Sequence, residues 1–229
     1  MRTVLIIETS TEAASIALAA DGKIVAEKGF VSDRRHNALL FTPLAEILEI
    51  HGSRSFDAVL VGSGPGSYSG TRVGIAAAQG AALVAGCKVV AVPSLLATPE
   101  ALSGKTCLAV GDARRGSFWL AKINGGELVD GPKLTDRIGF ESALETARAD
   151  GTAIFFMEGI RGMEIPLSRP TAAGLWQAWQ AASPQSRALR AGKAPQPIYL
   201  SPPHITPSKK EVFGNSGSGS DILTSEEIG

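Results

Sequence analysis

Apolar residues in this chain come in short runs set off by glycine, aspartate and asparagine, and the runs repeat a fixed order. Residues 3–9, rich in Val and Ile, predict a strand, and Ala14–Ala20 predicts a second. Asp21-Gly22 then marks a hairpin, since glycine tolerates the positive φ of a tight turn, and a third strand follows over about Lys23–Val31. A helix is expected over 36–50, starting near Ser32 or Asp33. Its apolar positions are Leu39, Leu40, Phe41, Leu44, Ile47, Leu48 and Ile50, a wider arc than one buried stripe requires. Ala58–Val61 reads as a buried strand, and a helix of small and aliphatic residues follows over 71–86.

The second half repeats the plan. Strands are predicted at Lys105–Gly111 and Ser117–Ile123, with a hairpin turn at Asn124-Gly125 and a short strand near Leu128-Val129. A helix over Asp136–Arg148 and a buried strand at Ala153–Met157 follow. The recurrence predicts an α/β chain of two lobes, each a mixed sheet covered by helices. The expected division is 1–102 for an N-terminal lobe, 103–212 for a shortened C-terminal lobe, and 213–229 for a disordered tail, where Gly214–Ser220 has linker composition. Late in the second lobe only a helix near Thr171–Ala182 and a short strand at Ile198-Tyr199-Leu200 are expected.

Composition narrows the classes. Of 229 residues, 44% are hydrophobic and 19% charged, which is globular. The 22 Lys and Arg balance 22 Asp and Glu, so there is no basic excess with which to grip a nucleic acid. The basic pairs Arg34-Arg35, Arg114-Arg115 and Lys209-Lys210 read as solvated surface charge. No membrane run or signal core is expected, and Cys87 and Cys107 fit buried free thiols in a reducing cytoplasm.

The densest motif is Gly62 to Gly74, which joins the strand at 58–61 to the helix at 71–86. Strand, glycine-rich turn and helix aim backbone N–H groups at an anion, or let one backbone pass close to another. The turn lacks the Lys-Ser/Thr pair of a P-loop, and Ser69 stands where a dinucleotide fingerprint needs glycine. Candidate anion or nucleotide contacts are Gly64, Gly66, Gly70 and Arg72, with Glu8, Thr9 and Ser10 at the end of the first strand. Arg72 could instead pair with a carboxylate, and the hydroxyls could satisfy the turn. The histidines His36, His51 and His204 include no pair at i, i+4 spacing, so no metal site is expected.

Four segments carry a family resemblance: Ile7-Glu8-Thr9-Ser10-Thr11 with Ala14 to Leu18; His36 with Leu39-Leu40 and Pro43-Leu44; Gly64 to Gly74; and Asp112-Ala113-Arg114-Arg115-Gly116. They resemble the TsaB (YeaZ) family of tRNA threonylcarbamoyladenosine biosynthesis. That family belongs to the actin-like, Hsp70 and sugar-kinase ATPase fold, which is ribonuclease H-like. Pro197 to Leu200 also fits, so the resemblance covers about residues 3–200. It implies two lobes with a shortened second one, no catalytic residue, and a scaffold role. Such proteins bind the catalytic paralogue TsaD, which acts with the ATPase TsaE to transfer a threonylcarbamoyl group to the adenosine beside the tRNA anticodon. The resemblance further implies a homodimer when TsaD is absent, only indirect contact with tRNA, and no cofactor beyond an ATP or ADP shared at the contact.

From the residues themselves, the two helices at 36–50 and 71–86 are expected to make that contact. The candidates are Leu39, Leu40, Leu44 and Ile47 on the first, and Gly74, Ala77, Ala78, Ala81 and Ala82 on the second. The rival is a small-molecule kinase or ATPase of the same fold, with Glu8 and Asp112 handling Mg²⁺-phosphate. A metallopeptidase-like activity and a plain anion-binding module are further alternatives.

Overall fold

A computed structural model describes residues 2–32, 39–52, 55–160 and 162–200. His36, His204, the pairs Arg34-Arg35 and Lys209-Lys210, and the tail expected from 213 onward lie outside the described residues.

Three strands, β1 (Thr3–Glu8), β2 (Ala13–Ala20) and β3 (Lys23–Val31), form an antiparallel meander. β4 (Ala58–Gly62) and β5 (Lys88–Val92) join in parallel on the other side of β1, giving the order β3-β2-β1-β4-β5. β1 and β4 are near-continuous apolar runs because both faces of the sheet are covered. Side chains alternate between the faces. Leu5, Ile7, Ile16, Leu18, Val59 and Val61 meet one helical layer, while Val4, Ile6, Ala17, Ala19 and Leu60 face the other way. That layer is α1 (Phe41–His51) lying on β2 and β3, beside α2 (Tyr68–Ala85) lying on β4, β1 and β5.

A 3-10 turn at Ser94–Ala97 and the short α3 (Pro99–Leu102) lead to a second sheet. Here β6 (Cys107–Arg114), β7 (Ser117–Asn124) and β8 (Glu127–Thr135) repeat the meander, and β9 (Ala153–Phe156) joins β6 in parallel, in the order β8-β7-β6-β9. This is the first sheet without its fifth strand, so the actin-like α/β duplication with a shortened second lobe is present. An isolated parallel bridge from Leu167 to Phe156 stands in the missing place. The outer face is covered by α4 (Arg137–Ala149), whose Phe140 and Leu144 pack on Val110, Phe118 and Phe156. The Asp136 carboxylate caps it by accepting the Gly139 N–H at 2.8 Å.

Several expectations change. The turn between β7 and β8 is Gly125-Gly126, both at positive φ, and Asn124 is the last paired strand residue. The strand expected near Leu128 runs nine residues. Ile198 to Leu200 form no strand; Ile198 instead donates one backbone hydrogen bond to the Ser63 carbonyl at 2.8 Å. The largest change concerns the chain after 171. Helices α5 (Ala172–Ala181) and α6 (Pro184–Ala191), expected within the second lobe or not at all, pack on the first sheet and its 3-10 turn. Leu175, Trp176 and Trp179 of α5 draw the chain back. They fill a core shared by the inner faces of both sheets, with Val4, Ile6 and Leu60 on one side and Trp119 and Phe155 on the other. The Trp176 indole N–H is satisfied by the Gly22 carbonyl at 3.0 Å.

Candidate functional site

Glu8 ends β1 and is fully buried. Its Oε1 accepts the Ser10 N–H at 2.6 Å. Its Oε2 has no hydrogen-bond partner, although the Ser94 hydroxyl lies beside it. Gly62 leaves room for the carboxyl: a Cβ there would stand 2.6 Å from Glu8 Cδ. Among the described residues no cation pairs with Glu8, and burial pushes its pKa above the ordinary carboxylate range.

The glycine-rich turn lies directly on this strand end. The Thr9 hydroxyl donates to the Gly70 carbonyl at 2.8 Å, and the Ser67 N–H donates to the Ser10 carbonyl at 2.6 Å. Gly66, at φ +155, passes so close to the Ser10 carbonyl that a Cβ would overlap it. The Gly64 N–H is taken by Ser94 Oγ at 3.0 Å. Ser67 caps α2, its Oγ accepting the Gly70 N–H at 3.1 Å and its carbonyl accepting the Thr71 N–H at 3.0 Å. The amides of Gly64 and Gly70 serve the fold, and Glu8, Thr9 and Ser10 are sealed beneath the turn.

Within the chain Arg72 lies against two tyrosines. It lies outside the turn, with Nε donating to Tyr199 Oη at 3.0 Å and its guanidinium carbon 4.2 Å from the Tyr68 ring centroid and 5.6 Å from that of Tyr199. Tyr68 and Arg72 are four apart on one helix face, a spacing that pairs side chains and could have signalled the contact. Asp112 is exposed at the end of β6, where its Oδ1 accepts the Arg114 N–H of its own hairpin at 2.6 Å. Arg114, Arg115 and Gly116 carry that hairpin through positive φ.

The second candidate region is the outer helical layer, and burial rearranges the expected contact residues. Leu40 just before α1, Leu44 and Ile47 on it, and Gly74, Ala78 and Ala82 on α2 are buried against the chain's own sheet. They pack there with Ile16 and Val61, so they are not available to a partner. Leu39, Ala77 and Ala81 are half-buried. What faces outward is Phe41, Leu48 and Ile50 on α1, and Arg72, Ala76, Gln79, Gly80, Leu83 and Val84 on α2. Phe41 is 61% exposed, Leu83 84% and Val84 91%.

The tRNA threonylcarbamoyladenosine biosynthesis protein TsaB of Escherichia coli (strain K12) is 35% identical over 130 residues, 54% of this chain and 56% of that protein. An uncharacterized protein of Mycobacterium tuberculosis is 34% identical over 183 residues, covering 76% of this chain and 82% of the relative. The family model for TsaD, tRNA N6-adenosine threonylcarbamoyltransferase, matches residues 23–177. The chain belongs to the TsaB/YeaZ family. It spans about half the length of the TsaB proteins it matches. The solved YeaZ structure from Pseudomonas aeruginosa shares the fold, with a TM-score of 0.62 and 24% identity over 87% of this chain and all of that one.

Two other reactive groups of this TsaB-family chain lie away from the turn. Cys107 is buried in β6, where desolvation pushes its thiol up to about 11. Cys87 is half-buried, and burial raises its thiol too. His51 is buried and stacks on Phe56 with ring centroids 4.1 Å apart, a packing role.

Proposed function

We propose that this chain serves tRNA threonylcarbamoyladenosine biosynthesis as a non-catalytic subunit, docking on TsaD through the outer side of α1 and α2. The observation that carries this reading is the solvent-facing stripe of α2. Leu83 and Val84 stand almost fully in water, and covering such side chains stabilises by about 1.5–3 kcal/mol each. Gly80 adds a second argument. A glycine inside a helix costs about 1 kcal/mol relative to alanine, and here no atom outside its helix lies within 4 Å of where its Cβ would be. Nothing among the described residues asks for that glycine. A partner helix approaching closely would.

The sealing of Glu8 under the turn supports a subunit without its own chemistry. The pathway comes from the family, whose E. coli and Haemophilus influenzae members are tRNA threonylcarbamoyladenosine biosynthesis proteins. A nucleotide enters this reading only as a ligand shared with TsaD. Size-exclusion chromatography with light scattering, on this chain alone and mixed with TsaD from the same organism, tests it. A one-to-one complex is expected, and the double variant Leu83→Asp, Val84→Asp is expected to stay folded and lose it. Unchanged binding by that variant, or no complex with or without nucleotide and TsaE, overturns the reading.

A further inference from the structure

We propose that residues 195–200 form a releasable strap that holds the glycine-rich turn in place, with Arg72 as its clasp. Between α6 and residue 200 the described chain forms no helix or strand, but Pro195 and Pro197 each fix one backbone angle and keep the segment extended. Three consecutive residues then grip three different parts of the molecule. The Ile198 N–H donates to the Ser63 carbonyl in the turn. The Tyr199 hydroxyl accepts from Arg72 Nε, and the Arg72 guanidinium lies over the Tyr68 ring at the start of α2. Leu200 packs on the core shared by the two sheets.

The clasp itself lies at the surface. Tyr68 and Tyr199 are both exposed, as is the guanidinium, so the clasp can open without uncovering a core. Segments held by few buried contacts and exposed hydrogen bonds open at low free energy. Beneath the strap the turn is held by isolated bonds: Ser63 N–H to the Val92 carbonyl, Gly64 N–H to Ser94 Oγ, and Ser67 N–H to the Ser10 carbonyl. Opening the strap releases the Ser63 carbonyl and frees the first turn of α2 from Tyr199. The strap therefore ties the position of the chain beyond α6 to the geometry from which α2 starts. The inference is independent of docking on TsaD, because its test uses this chain alone.

Amide hydrogen exchange by mass spectrometry, on the full chain and its Arg72→Ala, Tyr199→Ala and Tyr199→Phe variants, decides it. Peptides covering 63–71 are expected to exchange about tenfold faster in both alanine variants. Tyr199→Phe, which keeps the ring and loses the acceptor, is expected to fall between them and wild type. Peptides covering 140–147 in α4 are expected to be unchanged. Wild-type exchange over 63–71 in the two alanine variants overturns the strap. So does an equal acceleration in α4, which would mark general destabilisation instead.

Discussion

Two glycines on α2 give opposite answers to the same substitution. Alanine in place of a helix-interior glycine stabilises by about 1 kcal/mol when nothing else changes. Gly80 meets that condition, with nothing within 4 Å of an added Cβ, so Gly80→Ala is expected to gain the full amount. Gly74 does not. An added Cβ would come closer than 3.0 Å to Thr9 Oγ1 and within 3.6 Å of Ile7 Cγ2. Thr9 is fully buried, and its hydroxyl is committed to the Gly70 carbonyl. Clearing the methyl group means breaking that bond and stranding a buried hydroxyl, at about 1–3 kcal/mol. Pushing apart a close-packed layer costs a further ~1–3 kcal/mol. Against the helix gain, Gly74→Ala is expected to lose roughly 1–5 kcal/mol. For a chain of this size 1 kcal/mol moves Tm by about 2–4 °C. Thermal unfolding followed by circular dichroism should therefore place Gly80→Ala about 2–4 °C above wild type and Gly74→Ala at least as far below. A Gly74→Ala protein as stable as wild type would refute the reasoning that Gly74 is there for contact with β1.

Other consequences are as open to measurement. Gly66→Ala sets a Cβ against the Ser10 carbonyl, which is backbone and cannot swing aside, and is expected to lower Tm at least as much as Gly74→Ala; a neutral result would mean the turn does not sit on β1. Burial raises the folded pKa of Glu8 above 4.5, so its contribution is intact below about pH 4.5 and is lost as pH rises through the folded value. Glu8→Gln, which cannot ionise, should gain on wild type in urea unfolding as pH rises above the ordinary carboxylate value; a difference that does not vary with pH contradicts this. With a thiol-specific reagent at about pH 8, Cys87 should react in the native protein and Cys107 only on unfolding, so equal rates would contradict the burial of β6.

Much of the fold was legible because period and punctuation agree. Asp21-Gly22 turns at positive φ where the dipeptide predicts a hairpin, and β4 is the continuous apolar run of a strand buried on both faces. The contact residues were less legible. A helix with an apolar arc announces that it packs, but not which part of the arc meets its own sheet. Leu40, Ile47 and Ala78 went inward, while Phe41, Leu83 and Val84 stayed out. The return of α5 to the first sheet was invisible for a related reason. Its tryptophans state that a core exists, and only the tertiary arrangement says whose core it is. The Arg72 clasp joins positions 127 residues apart in sequence, beyond any local pattern.

The end of β1 shows why a motif that looks built for phosphate need not serve one. A phosphate cradle needs N–H groups that are unpaired before the ligand arrives and an acid that solvent and metal can reach. Here the amides of Gly64, Ser67, Gly70 and Thr71 already have acceptors within the chain, and Glu8 has lost its solvent. Reopening the site would mean giving up several buried hydrogen bonds at ~1 kcal/mol each before any ligand bond formed. The glycines are explained by close approach: Gly62 to the Glu8 carboxyl, Gly66 to the Ser10 carbonyl, Gly74 to the Thr9 hydroxyl. All three fasten α2 and its turn to β1. A helix fastened so firmly on its inner side is a rigid platform, and rigidity lowers the ordering cost of binding for whatever its outer side presents. That outer side is Ala76, Gly80, Leu83 and Val84. The same glycines that close the inner site therefore favour the outer one, and under the proposed docking on TsaD, Gly74→Ala should weaken the complex even though Gly74 is buried against β1.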